Sequence, residues 1–354
     1  MSFSLEKIPL TARVLFGLVS IEALSLLVVF HPTINGIVAL MLALGVFVWT
    51  VFRPEWGLLV LGLELIVGSK GGLFRWQGDL QGNGGVSIRI LLFIAVLLAW
   101  MVYAIRFRTW QHWPLYVQGR KKYLALAALV GYAFLRGIAL KQPFVVADAN
   151  AWGMWLLLLP VIDIAYHRAE ALKQLAWPVL RAALLWVPIK TLFLFYYFSH
   201  SFSPGAIETV YLWVRRTGVG EITRASGSAF RIFFQSHIYA LGVVLFLWLK
   251  RGIGRTWSRS EWVLVSLSLA EILVSLSRSL WIGMFVGVIG LFLWALVRSR
   301  RHVWTLLQAM VISGLVAITL TAGLLWVPLP PSDASLTSLI RTRVGAGDDA
   351  AMSR

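Results

Sequence analysis

Hydrophobic residues in this chain come in long unbroken runs, and each run closes on a short cluster of polar or charged positions. A run of roughly 20 apolar residues is what a helix needs to cross a hydrocarbon layer of about 30 Å. The pattern predicts about eleven such spans, near 14–30, 35–52, 56–74, 88–105, 123–140, 151–166, 175–198, 230–250, 261–277, 279–297 and 303–326. Lys70, Gly71 and Gly72 interrupt the second half of the third. The reading is therefore an all-α, polytopic helical bundle over residues 1–326, followed by a polar segment over 327–354.

Composition supports this class. With 59% hydrophobic and 13% charged residues and a mean hydropathy of +0.80, the chain holds far more apolar side chain than a soluble core of 354 residues buries. A net charge of +17 would point to nucleic acid in a soluble protein, but here the basic residues sit in the breaks between spans. There they orient helices. If the N-terminus is cytoplasmic, 17 of the 32 basic residues fall in the inner segments, which also total less chain than the outer ones. The positive-inside rule thus predicts a cytoplasmic N-terminus and an outward C-terminal tail. The basic N-terminus with Lys7 and Arg13 lacks a small-residue cleavage pattern, so the first run reads as a retained helix. No cysteine is present, which excludes a thiol nucleophile or a disulfide framework.

Other motifs carry less. Gly82, Gly84 and Gly85 imitate a phosphate loop, but a membrane span follows them, so they read as a flexible turn. Many of the 18 Trp residues lie near span ends, as interfacial anchors do; Trp76 and Trp213 could also stack on sugar rings. No Asp-x-Asp triplet and no pair of histidines at ligand spacing occurs, so neither a metal nor a cofactor is expected.

Charges inside the apolar runs are the informative residues. Arg89, Arg136, Arg181, Lys190, Arg231 and Arg278 lie in or beside spans, where an unpaired cation at a helix centre costs about 2.5–3.5 kcal/mol. Each one alone is explained by snorkelling or by a carboxylate such as Glu64, Glu221 or Glu271. On the expected topology, however, Arg136, Arg224, Arg231 and Arg278 all lie toward the outer face. A guanidinium presents a fork of donors that matches phosphate oxygens in pairs, so such a group suits a lipid-linked diphosphate.

The segments "RASGSAFRIFFQSHIYALG" (224–242) and "SLSRSLWIGMFVGVIGLFLW" (275–294), the tail ending "GDDAAMSR", and "LRGI" (135–138) before Asp148 together resemble the O-antigen ligase and polymerase superfamily of bacterial envelope glycosyltransferases. The resemblance implies a GT-C-like, metal-independent enzyme of the bacterial inner membrane, working on the periplasmic side. Its donor would be an undecaprenyl-diphosphate-linked glycan, its acceptor a lipid or glycan hydroxyl such as that of lipid A core, and nucleic acid has no part. Arg224 and Arg278 would match the arginines on the donor diphosphate, with Arg231 and Arg136 assisting and His237 as a candidate base. Relatives carry a larger periplasmic loop with a histidine and a further span, so residues 327–354 read as the start of a truncated loop. An O-antigen or exopolysaccharide polymerase, a flippase for anionic lipid-linked glycans, and a non-catalytic scaffold remain as alternatives.

Overall fold

In the computed structural model, residues 8–77, 85–109, 117–142, 145, 153–200, 204–226, 229–298 and 300–327 are described. The C-terminal segment beyond 327, the Gly82–Gly84 turn and Asp148 lie outside them. Twelve α-helices occur among the described residues: α1 Leu10–Val28, α2 Pro32–Phe52, α3 Pro54–Val67, α4 Ile88–Arg106, α5 Val117–Ala139, α6 Leu158–His167, α7 Ala169–Ser199, α8 Pro204–Thr217, α9 His237–Gly252, α10 Arg259–Ser275, α11 Arg278–Arg298 and α12 Arg300–Trp326. Two antiparallel hairpins interrupt them, β1 Arg75–Trp76 with β2 Val86–Ser87, and β3 Gly220–Ser226 with β4 Ala229–Phe234.

Local chemistry sets these boundaries. Pro32 and Pro54 open α2 and α3 at a position where the missing N–H would have had no partner. Ser258 caps α10 through a reciprocal capping box, its hydroxyl accepting from the Glu261 N–H while the Glu261 carboxylate accepts from the Ser258 N–H at 2.9 Å. Leu276 ends α10 in the left-handed region at φ 47°, which no glycine relieves. α7 runs 31 residues straight through Pro178 and Pro188, which a helix supported by neighbours at membrane depth tolerates.

Six helices, α1, α2, α4, α7, α11 and α12, are long and apolar enough to cross a membrane. The eleven expected spans are thus only partly matched, and the differences have physical causes. The third stops at Val67, since Gly68 closes the helix before the Lys70–Gly72 break. The sixth is a 3₁₀ turn over Met154–Leu157 leading into α6, 14 residues in all, about 21 Å of helix at 1.5 Å per residue. The eighth begins at His237; its first residues, "AFRIFF", form β4 against β3, because a short apolar run serves a strand as well as a helix. α10 falls short of a span on its own because Ser266, Ser268, Glu271 and Ser275 dilute it, yet all four are buried.

α10 is enclosed by α7, α9 and α12, with Leu264, Val265, Ala270 and Ile272 fully buried. α2 packs against α4, and each helix buries small residues, Ala39 and Ala43 on one and Ala95 and Ala99 on the other, of the kind that let helix backbones approach closely. The outer flank is apolar: Ile282, Phe285, Val286, Leu293 and Val297 of α11 are all exposed. A continuous apolar mantle of this kind fits lipid rather than water. The chain is a multi-pass membrane protein.

One end of the bundle is closed by a polar strap. The Ser25 hydroxyl donates to the Leu73 carbonyl at 2.7 Å and accepts from the Trp213 indole at 3.1 Å, and the Ile88 N–H donates to the Phe74 carbonyl at 2.9 Å. The Gln235 N–H donates to the Ser69 hydroxyl at 3.2 Å and the Phe230 N–H to the Ser199 hydroxyl at 3.3 Å. The loop after α3, α8 and the β3–β4 hairpin are thereby fastened to the ends of α1, α4 and α7.

Two substitutions test this packing. Ala99→Leu forces a larger side chain into a fully buried position of α4 and should cost about 1–3 kcal/mol, lowering the melting temperature in detergent, whereas Leu44→Ala on the exposed flank of α2 should leave it nearly unchanged.

Candidate functional site

The hairpin end holds two of the basic residues that the apolar pattern singled out, Arg231 and Arg278. Arg231 lies on β4 opposite Thr223, and its Nε donates to the Ser275 carbonyl at 2.9 Å. Its guanidinium also lies over the Phe233 ring, 5.1 Å from the centroid. Ser275 is the last residue of α10, and Arg278, exposed, is the first of α11. The Arg231 bond therefore brings two arginines, 47 positions apart in the chain, to one corner.

The serines around Arg278 explain how that corner is built. The Ser275 hydroxyl donates to the Ile272 carbonyl at 2.7 Å and accepts from the Ser277 N–H at 3.3 Å; the Ser277 and Ser279 hydroxyls lie 3.0 Å apart. The Trp281 indole donates to the same Ile272 carbonyl at 3.3 Å. These bonds occupy polar groups that the abrupt turn at Leu276 would leave bare, and they free no room for the Arg278 side chain inside. It stays at the surface.

Arg224 sits on β3 across from Phe230, one register position from the Thr223–Arg231 pair and beside a bulge between Arg224 and Ser226. Alternation along a strand sends it from the opposite face of the ribbon to Arg231. It is exposed and on the same hairpin, but it approaches the corner from the other side. Arg136 is exposed near the end of α5, a helix that among the described residues packs extensively against no other element. The arrangement ties Arg231 to the turn that carries Arg278 and keeps Arg224 on the same hairpin, while Arg136 is on a helix with no extensive contact to it among the described residues.

His237 is in a different setting from the one expected. It is 0% exposed, with Phe233 and Phe234 edge-on to its ring, and its Nε2 lies 3.0 Å from Glu271 Oε1 and 3.2 Å from the Thr191 hydroxyl. Glu271 is also fully buried. A side chain so enclosed does not face an acceptor arriving from outside. It joins α9 to α10 at the foot of the hairpin.

Next to it is a second buried pair, between helices 168 positions apart: Lys190 Nζ donates to Glu22 Oε1 at 2.5 Å, and the Trp186 indole donates to Glu22 Oε2 at 3.0 Å. The Lys190 ammonium lies 4.8 Å from the Phe234 ring centroid. Arg89, another of the in-span cations, is held by Glu64 through two bonds, Nε to Oε2 at 2.7 Å and Nη2 to Oε1 at 3.2 Å, and by the Ser69 carbonyl at 2.5 Å. Lys190 and Arg89 are structural cations. The one sequence signal that could have found the first pair is Glu22 itself, an acid inside the apolar run of α1 with no local base.

Among the described residues no three His, Asp or Glu side chains gather as metal ligands would. Trp213 is buried on Ser25, a packing role, and Trp76 lies against Gly36 of α2.

Removing one member of a buried pair leaves an uncompensated charge, which costs about 3–5 kcal/mol. Lys190→Ala should therefore lower the detergent melting temperature sharply, and the double variant Glu22→Gln with Lys190→Met should recover most of the loss. No protein-family model matches the chain, and no match was found among curated proteins or solved structures.

Proposed function

We propose that this protein is a membrane-embedded glycosyltransferase that moves a glycan from an undecaprenyl-diphosphate carrier to an acceptor hydroxyl, as an O-antigen ligase does, from the periplasmic side of the bacterial inner membrane. The observation that carries this reading is the Arg231–Ser275 bond, which ties Arg231 to a carbonyl three residues before Arg278 at the rim of an apolar bundle. Two guanidiniums at such a rim match a diphosphate whose lipid tail lies in the bilayer. Arg224, on the same hairpin, extends the positive field over the donor headgroup.

In the reaction, the acceptor oxygen bonds to the anomeric carbon as the bond from that carbon to the diphosphate oxygen breaks. Charge develops on the leaving diphosphate, and Arg231 and Arg278 stabilise it there. The hydroxyl proton ends on the released diphosphate or in water. His237 positions the hairpin through Glu271 and is not assigned the proton transfer.

A polymerase uses the same arginines and differs only in its acceptor, a second carrier-linked glycan. A flippase is favoured by one separate observation, the buried sequence Glu22, Lys190, Thr191, His237 and Glu271, because ionisable chains at membrane depth serve proton-coupled transport.

The test uses the chain reconstituted in vesicles with a lipid-linked glycan. Arg231→Ala and Arg278→Ala should each lower transfer by about 10²–10³ and weaken donor binding. Unchanged transfer in both variants overturns the proposal; labelled glycan crossing the vesicle wall without a new glycosidic bond selects the flippase.

A further inference from the structure

At the end of α9 opposite the hairpin, about 24 Å away along 16 residues of helix, a cleft opens on the flank of the bundle. Its walls are Trp177 of α7 and Phe246, Leu249 and Ile253 at the end of α9, and its rim holds Lys250, Arg255 and Glu261. Trp177, Phe246 and Ile253 are 43%, 59% and 44% exposed, so the walls form an open apolar slot. Exposed aromatic rings beside basic side chains are the composition of a membrane interface.

The charge at the rim is unbalanced. Lys250, Arg251, Arg255 and Arg259 bring four positive charges to the α9–α10 turn, and Glu261 is the acid among them. Both oxygens of that carboxylate are already used: Oε1 by Lys250 at 2.5 Å, and Oε2 by the Ser258 N–H at 2.9 Å and hydroxyl at 3.1 Å. Glu261 neutralises Lys250 and caps α10, leaving Arg255 at the mouth with no ion pair among the described residues. Deeper on the same face of α7, one turn beyond Trp177, Arg181 has a buried Nε with no hydrogen-bond partner among the described residues. A slot with apolar walls on the lipid side and surplus guanidinium at its rim is complementary to one kind of molecule, an amphiphile with an anionic head.

We propose that this cleft binds one anionic phospholipid, with its phosphate against Arg255 and an acyl chain along Trp177, Phe246 and Leu249. Basic pockets between membrane helices hold acidic headgroups in this manner. A zwitterionic lipid brings its own ammonium to a rim where Arg255 is already in excess and Arg251 and Arg259 lie on the same turn, and so fits less well. The site is separate from the arginine corner at the hairpin end and does not depend on the reaction proposed for it.

The experiment uses the full chain purified in detergent with equal amounts of phosphatidylglycerol and phosphatidylcholine, and native mass spectrometry to count the lipids retained. Phosphatidylglycerol should be retained in preference. Arg255→Ala should lower that preference about tenfold, Arg255→Lys should lower it less, and Phe246→Ala should reduce retention of both lipids. Arg106→Ala, which removes an equal charge from the last turn of α4, should change nothing. Elution volume and melting temperature confirm that each variant is folded. Equal retention of the two lipids, or an equal loss in Arg106→Ala and Arg255→Ala, overturns the proposal. So does displacement of the lipid by excess inorganic phosphate with Phe246→Ala having no effect, which would make the site one for a free anion. Glycan transfer measured on Arg255→Ala should be unaffected, so this test and that of the arginine corner fail separately.

Discussion

A charge enclosed in an apolar bundle persists only when an opposite charge is enclosed with it, because the alternative is the desolvation of a lone ion. Two such pairs run through this molecule, Glu22 with Lys190 and Glu64 with Arg89, and a third polar contact sets His237 beside Glu271. They join α1 with α7, α3 with α4, and α9 with α10. Apolar packing between helices is non-directional in lipid, where the tails are as apolar as leucine. The ion pairs add what that packing lacks, a specific register between particular helices.

That register fixes the hairpin end. Phe234, the last residue of β4, faces both Lys190 and His237, so the strand is anchored at its foot by the same buried charges that align α1, α7, α9 and α10. With its foot fixed, β4 presents Arg231 to the Ser275 carbonyl, and the turn at Leu276 presents Arg278 beside it. The exposed arginines are thus held by a frame that is itself electrostatic, and the opposite end of α9 carries a second, separate concentration of positive charge.

The apolar pattern was enough to recognise a multi-pass helical protein and to place most helix centres, since length and hydropathy decide whether a segment crosses a bilayer. It misjudged the segment 229–234 because six residues of "AFRIFF" have the same hydropathy as a helix and differ only in their pairing with β3, which hydropathy ignores. Of the eleven spans it predicted, six match helices that are long and apolar enough to cross a membrane among the described residues, and α10 is not one of those six because its buried face carries serines and glutamates. In-span cations were visible as anomalies, and Arg89 meets Glu64, one of the carboxylates expected as a partner. The pairing of Lys190 with Glu22, 168 positions away, was signalled only by an acid inside the apolar run of α1. His237 stood out as a candidate base, while its enclosure beside Glu271, a carboxylate expected to serve an arginine, comes from packing that hydropathy does not carry.

The poverty of α10 in apolar residues bears on how the chain is made. With five buried serines and glutamates in 17 residues, it enters lipid less readily than its neighbours when only its own sequence is available to the translocation channel. Its turn into α11 is only two residues long, and α11 is among the most apolar helices in the chain. So tight a turn lets the strongly lipophilic segment carry its more polar neighbour into the bilayer, where α7, α9 and α12 shelter those side chains.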